Sequence, residues 1–232
     1  YKEEIEAALR TPGFAGFQLL DLHDFPGQGS ALVGVLDPFW DEKGYITAAD
    51  FSRFCGPVTP LALLTKRYWT TDELFTADIR IAQFSGGPLR NARLDWRLET
   101  ERGVVEAQGE LVLGELPVGN DNSFGPISAR LDTIVPAQKL TLVIGVVADN
   151  AQRVENDWDL WLFAPTIEVS SPAGLHVTES LDEVALEHLG GGGTVLWLPE
   201  SNTVKTSSVI GFSTVFWNTA WTSGQAPHTL GI

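Results

Sequence analysis

Between Leu74 and Phe163 the sequence lays down one apolar stretch after another, each separated from the next by Gly, Asn, Asp or Pro. The stretches are Leu74 to Phe84, Ala92 to Leu98, Val104 to Leu113, Gly125 to Leu131, Lys139 to Ala148 and Val154 to Phe163. Ala92 to Leu98 alternates cleanly, with Leu94, Trp96 and Leu98 on one side, and a period of two marks a strand with one buried face. No helical stretch intervenes. Strands at this regular spacing predict an antiparallel β-sandwich of about 100 residues, placed at 65–165.

The flanks carry a different signal. Lys2 to Leu9 predicts a short amphipathic helix with Ile5, Ala8 and Leu9 on one face and Lys2, Glu3, Glu4 and Glu6 mostly off it, stopped by Thr11-Pro12-Gly13. Phe14 to Leu20 is nearly continuous in apolar residues, which suits a strand buried on both faces. Helix, turn and buried strand make half of an α/β repeat, which needs neighbours to cover it. A second apolar stretch, Ala31 to Leu36, leads into the acidic, aromatic loop Asp37-Pro38-Phe39-Trp40-Asp41. Tyr45 to Phe54 predicts a helix with Thr47 as N-cap and Asp50 at its third position, and Pro57 to Leu64 reads as a linker. Beyond the sandwich, Gly174 to Val177 predicts a strand and Ser180-Leu-Asp-Glu183 a capping box opening a helix to Leu189. The run Gly190 to Gly193 ends that helix, and Thr194 to Leu198 is a second strand, giving a βαβ unit that would open a doubly wound sheet. Ser207 to Ile232 reads as a loop-like tail rich in aromatic and amide groups. The predicted organisation is therefore α/β at 1–64, all-β at 65–165 and α/β again at 166–232.

Composition narrows the function classes. With 15 Lys and Arg against 30 Asp and Glu the net charge is −15, which disfavours nucleic acid as a partner. No stretch approaches the roughly 18 to 20 apolar residues of a spanning helix, so no membrane partner is expected. The sequence contains no Met, from which the chain is expected to be a piece of something longer. The single Cys, Cys55, cannot form an internal disulfide.

Chemistry-bearing residues cluster once. Asp21, His23, Asp24 and Gln28 share one Gly/Pro-rich loop after the predicted strand. Such a set could hold a metal, hold a proton, hydrogen-bond sugar hydroxyls, or merely satisfy backbone donors in a turn. Substrate contact is the reading carried forward, with neither a metal nor a cofactor expected. The Gly190 to Gly193 run follows a helix instead of opening one, so it is a C-cap and no phosphate loop. His176 and His188 have no ligand partner at metal spacing, and nothing supports a Ser or Cys nucleophile. In Asn156-Asp157-Trp158-Asp159-Leu160-Trp161, strand alternation turns Trp158 inward and Trp161 outward. There Trp161 either meets a neighbouring domain or stacks on a sugar.

Gly16 to Asp24 followed by Gly34-Val35-Leu36-Asp37 resembles the eighth strand and following loop of a (β/α)8 barrel, that of glycoside hydrolase family 2 (the β-galactosidase and β-glucuronidase family). In that family the strand ends in aromatic-Asp-aromatic-x-Asp, matched here by Asp21 and Asp24, with Leu20 and Leu22 in place of the aromatics. The sandwich ending at Trp161 resembles the immunoglobulin-like domain that follows the barrel. Phe216 to Trp221 through Ala226 to Ile232 is similar to a glutamine-amidotransferase-like domain. The resemblance implies a retaining exo-β-glycosidase, β-galactosidase-like, that removes terminal β-linked sugars from oligo- and polysaccharides, in a secreted or periplasmic setting. It implies two catalytic Glu residues roughly 5 Å apart. The family's acid/base Glu follows an Asn, and Asn-Glu occurs nowhere in this sequence. Both catalytic residues are therefore expected upstream of Tyr1, in the remainder of the same enzyme, leaving this piece inactive alone. Asp21, His23, Asp24 and Gln28 are its expected substrate contacts. The alternative is a non-catalytic carbohydrate-binding or structural module.

Overall fold

The protein is mostly β-sheet with few helices. A computed structural model describes residues 1–14, 16–25, 32–166, 172–200 and 203. Two compact units divide the chain, 1–166 and 167–232. Predicted features at Gln28 and in the tail from Ser207 lie outside the described residues.

The first unit is a two-sheet sandwich with two helices packed on it. Its elements are α1 (Lys2–Arg10), α2 (Ala48–Phe54), β1 (Val58–Leu63), β2 (Tyr68–Thr70), β3 (Leu74–Gln83), β4 (Leu89–Thr100), β5 (Val105–Leu116), β6 (Gly119–Arg130), β7 (Gln138–Ala148) and β8 (Ala151–Phe163). One sheet has the order β1-β3-β6 and the other β2-β8-β7-β4-β5. Neighbours are antiparallel except β2, which runs parallel to β8. Inward residues of both sheets, among them Phe75, Ile79, Leu94, Leu98, Leu142, Ile144 and Trp158, form one buried cluster. Gly109 faces Trp96 across the β4–β5 ladder, where a Cβ would lie 2.7 Å from the indole Nε1, so only glycine fits that register.

Residues 57–64, expected as a linker, hold the edge strand β1, buried along nearly its whole length and paired with β3. Pro60 concealed the strand signal, since proline belongs on sheet edges where its missing N–H is not needed. The buried strand expected at 14–20 is also absent among the described residues. Residues 16–20 are irregular and exposed, with Phe17 41% and Leu20 84% accessible, so a closing strand of a (β/α)8 barrel is not supported. An extended segment forms a strand only beside a neighbour that takes its N–H and C=O groups. Around Asp24, isolated bridges form among the described residues, His23 with Leu36 and Leu36 with Glu42. Thr47 caps α2 in a full capping box with Asp50, as its spacing predicts.

The second unit contains β9 (Leu175–Thr178), α3 (Glu183–Gly190) and β10 (Thr194–Trp197), with β9 and β10 parallel. The N-cap of α3 is Asp182, whose carboxylate accepts the Ala185 N–H at 3.0 Å, and Ser180 lies outside the helix. Gly191 closes α3, and Gly192 takes φ +83°, a conformation that favours glycine.

Candidate functional site

Asp21, His23 and Asp24 lie on a segment that runs beside residues 33–36. Asp24 N–H donates to the Leu36 carbonyl and Leu36 N–H to the Leu22 carbonyl, both at 3.0 Å. The two segments approach so closely that a Cβ on Gly34 would sit 2.2 Å from the His23 carbonyl carbon. The Asp24 side chain is buried and accepts from Gly34 N–H at 2.9 Å and from Lys43 Nζ at 2.6 Å. Lys43 also donates to the Gly34 carbonyl at 2.9 Å, as does the Tyr45 hydroxyl at 3.0 Å. The Lys43 ammonium holds the Asp24 carboxyl below the usual carboxylate range, against the opposing effect of burial and with help from Gly34 N–H. This carboxylate is committed to the scaffold.

His23 Nδ1 lies 2.7 Å from the Asp24 carbonyl, a contact in which Nδ1 must be the donor. Its ring packs against Trp40 with centroids 4.4 Å apart. Trp40 sits at the tip of a loop built by Asp37, whose carboxylate accepts the N–H groups of Phe39 at 2.8 Å and Asp41 at 2.9 Å. The loop puts Trp40 at φ +71°, rare for a bulky residue, and leaves both aromatics exposed. Asp21 stands apart. Its carbonyl lies 3.2 Å from the Tyr1 hydroxyl, which is 2.6 Å from the Val33 carbonyl. The structure thus brings His23 and Asp24 together through the backbone and adds Trp40, Lys43 and Gly34. Among the described residues no group of three His, Cys, Asp or Glu is placed to hold a metal ion.

A second polar cluster joins α1 to the sandwich, and its centre is Glu6, a residue assigned to the solvent side of the helix by periodicity. Glu6 is fully buried. Its carboxylate accepts from Trp158 Nε1 at 2.9 Å, Asn156 Nδ2 at 2.8 Å and Lys2 Nζ at 2.6 Å, with Arg10 Nη1 at 3.4 Å. Lys2 Nζ donates also to Asn156 Oδ1 at 2.5 Å and lies 4.9 Å from the Trp158 ring centroid. Asn156 completes its amide on the Pro60 carbonyl at 2.9 Å. The far end of α1 is tied as well: Arg80 Nη1 donates to the Arg10 carbonyl at 3.0 Å and Asn120 Nδ2 to the Thr11 carbonyl at 2.7 Å. Cations at Glu6 minus four and plus four were the sequence signal for this cluster.

In the second unit, His188 Nε2 lies 2.8 Å from the Gly174 carbonyl and its ring is 5.7 Å from that of His176. These contacts tie α3 to the start of β9.

Two family models match parts of the chain, a domain of unknown function (DUF8488) over residues 73–164 and another (DUF8487) over 176–232. No curated protein matches its sequence. Among solved structures, the sporulation control protein Spo0M from Bacillus subtilis is 12% identical with a TM-score of 0.34, over 47% of this chain and 50% of that one. A conjugative transposon lipoprotein from Bacteroides eggerthii is 8% identical with a TM-score of 0.30, over 45% of this chain and 97% of that one. The β-glucuronidase of Parabacteroides merdae is 12% identical with a TM-score of 0.33, over 46% of this chain and 14% of its own. The chain therefore spans half the length of the first of these proteins and a small part of the third.

Proposed function

We propose that residues 1–166 are a non-catalytic bracing part of a retaining β-glycosidase of the family 2 type, with an immunoglobulin-type sandwich fixing the segment that follows α1. The observation that carries the bracing role is Glu6. A buried carboxylate receiving an indole, an amide and an ammonium from two elements is costly to separate, so α1 and β8 move as one body. The glycosidase context draws on the resemblance of the sandwich ending at Trp161 to the immunoglobulin-like domain of that family, and the strand order, with β2 parallel to β8 at one edge, suits an immunoglobulin-type sandwich. Asp24 serves there as a structural anion that shapes the loop, while His23 and Asp21 remain the proposed sugar contacts. Glycosyl transfer requires a second carboxylate at retaining distance, and that pair is proposed to lie in polypeptide preceding Tyr1.

Two measurements test this reading. The purified 232-residue chain is expected to leave aryl β-galactosides and β-glucuronides intact, and turnover by the chain alone overturns the non-catalytic assignment. The DNA coding upstream of Tyr1 is expected to encode Asn-Glu and a later Glu, each closing a strand. Upstream sequence without that pair sinks the enzyme context.

A further inference from the structure

We propose that a cleft between α1 and β8 binds a neutral pyranose ring, with the Trp161 indole as its stacking face. The inference goes beyond the bracing role and stands without it. Lys2, Glu3 and Arg67 line the cleft together with Asp157, Asp159 and Trp161, around a volume of about 390 Å³. That lies within the roughly 300–1,000 Å³ of small-molecule sites.

Strand alternation in β8 buries Trp158, Leu160 and Leu162 and turns Trp161 outward, where it is 43% exposed. Tyr68 stands directly beside it on β2, also exposed, so two aromatic side chains occupy adjacent register positions at this edge of the sheet. An indole of this exposure offers a broad apolar face next to polar groups, which suits a ligand with one C–H face and a hydrogen-bonding rim.

The polar groups are already held in place. Arg67 pairs with Glu3, its Nη1 lies 3.5 Å from the Asp159 carbonyl, and its own carbonyl accepts the Trp161 N–H at 2.8 Å. Arg53 fixes Asp157 through Oδ1 at 2.6 Å, and Lys139 fixes Asp159 through Oδ2 at 2.9 Å. Each of these carboxylates has a second oxygen able to accept from a hydroxyl. Both signs of charge line the cleft, and this selects the ligand class. An anion would meet Glu3, Asp157 and Asp159, and a cation would meet Lys2 and Arg67. Hydroxyls both donate and accept, so a neutral sugar matches lining groups of both signs at once.

The test titrates the whole 232-residue chain with methyl β-D-galactopyranoside and methyl β-D-glucopyranoside, following the indole N–H signals by NMR. For one sugar ring a Kd on the order of 1 mM is expected. Trp161→Ala should weaken binding at least about tenfold, the loss of one good stacking contact, while Trp161→Tyr keeps most of it. Trp197→Ala, in the other unit, should leave it unchanged. A methyl β-glucuronide should bind several-fold more weakly than the neutral glycosides. The proposal is overturned by the absence of saturable shifts in the unsubstituted chain. It is also overturned by binding that survives in a Trp161→Ala chain of unaltered Tm, or by a charged glycoside that binds as tightly as the neutral ones.

Discussion

The loops around Asp24 and the β-sandwich draw on the same apolar residue types and treat them in opposite ways. In the sandwich, Phe75, Leu94, Leu98 and Leu142 are inaccessible, because each sits on a strand with hydrogen-bonded neighbours and a facing sheet. In the loops, Phe17, Leu20, Phe39 and Trp40 remain exposed, although Phe14 to Leu20 is as apolar as any strand in the protein. Apolar content creates a demand for burial, and only a paired backbone converts it into a core. Among the described loop residues the buried apolar side chain is Val35, and the hold is otherwise largely polar: the Asp24 carboxylate, the Lys43 ammonium and the Asp37 turn.

The sharpest way to break the contrast is to cut the core of the sandwich. Phe75→Ala removes a fully buried ring that packs edge-on against Trp69 at 5.2 Å. A loss of about 3–5 kcal/mol is expected, measured by urea unfolding of the whole chain. A loss below about 1 kcal/mol would mean that the two sheets do not share a dry core.

Glu6→Ala comes next, with an expected cost of about 3 kcal/mol, because it strands the Trp158 and Asn156 donors and leaves the Lys2 ammonium half-buried. Hydrogen exchange should show the effect concentrated in Lys2–Arg10, with β3 and β7 still protected. Unchanged exchange in α1 would contradict the bracing role.

A third expectation concerns pH. The Asp24 carboxyl is held below its ordinary value, chiefly by Lys43, so its contribution is present in full above about pH 4 and fades as the pH falls through the lower folded value. Fluorescence of Trp40, packed on His23 beside this pair, should therefore change below about pH 4 while the sandwich persists. Lys43→Met should move that change to higher pH. An acid transition identical in Lys43→Met and the unsubstituted chain would remove Asp24 from the account.

Much of the sandwich was legible because hydrophobic patterning is local: β3, β4, β5, β7 and β8 all overlap the punctuated apolar stretches read from the sequence. Strand β1 was not, since Pro60 hides an edge strand, and neither was the three-residue β2, too short to show a period. At the candidate site the sequence located His23 and Asp24 but not Lys43 or Gly34, which reach Asp24 across 19 and 10 residues. Glu6 was misassigned for a physical reason. Its burial depends on donors 150 and 152 residues away on β8, and no helical period can report a partner that distant.

The smallest expected effect sharpens the contrast most. Leu20→Ser and Phe39→Ser replace side chains that are 84% and 82% exposed, so almost no apolar burial is lost and stability should shift by no more than about 0.5 kcal/mol. Thermal unfolding of the two variants beside Phe75→Ala compares leucine and phenylalanine in the loops with phenylalanine in the core. If the loop variants cost as much as the core variant, these side chains are covered in solution, and the division between a polar-held loop region and an apolar-held sandwich fails. If they leave Tm unchanged, the loops owe their form to Asp24, Lys43 and Asp37. Their exposed aromatics are then surface that the fold keeps without drawing stability from it.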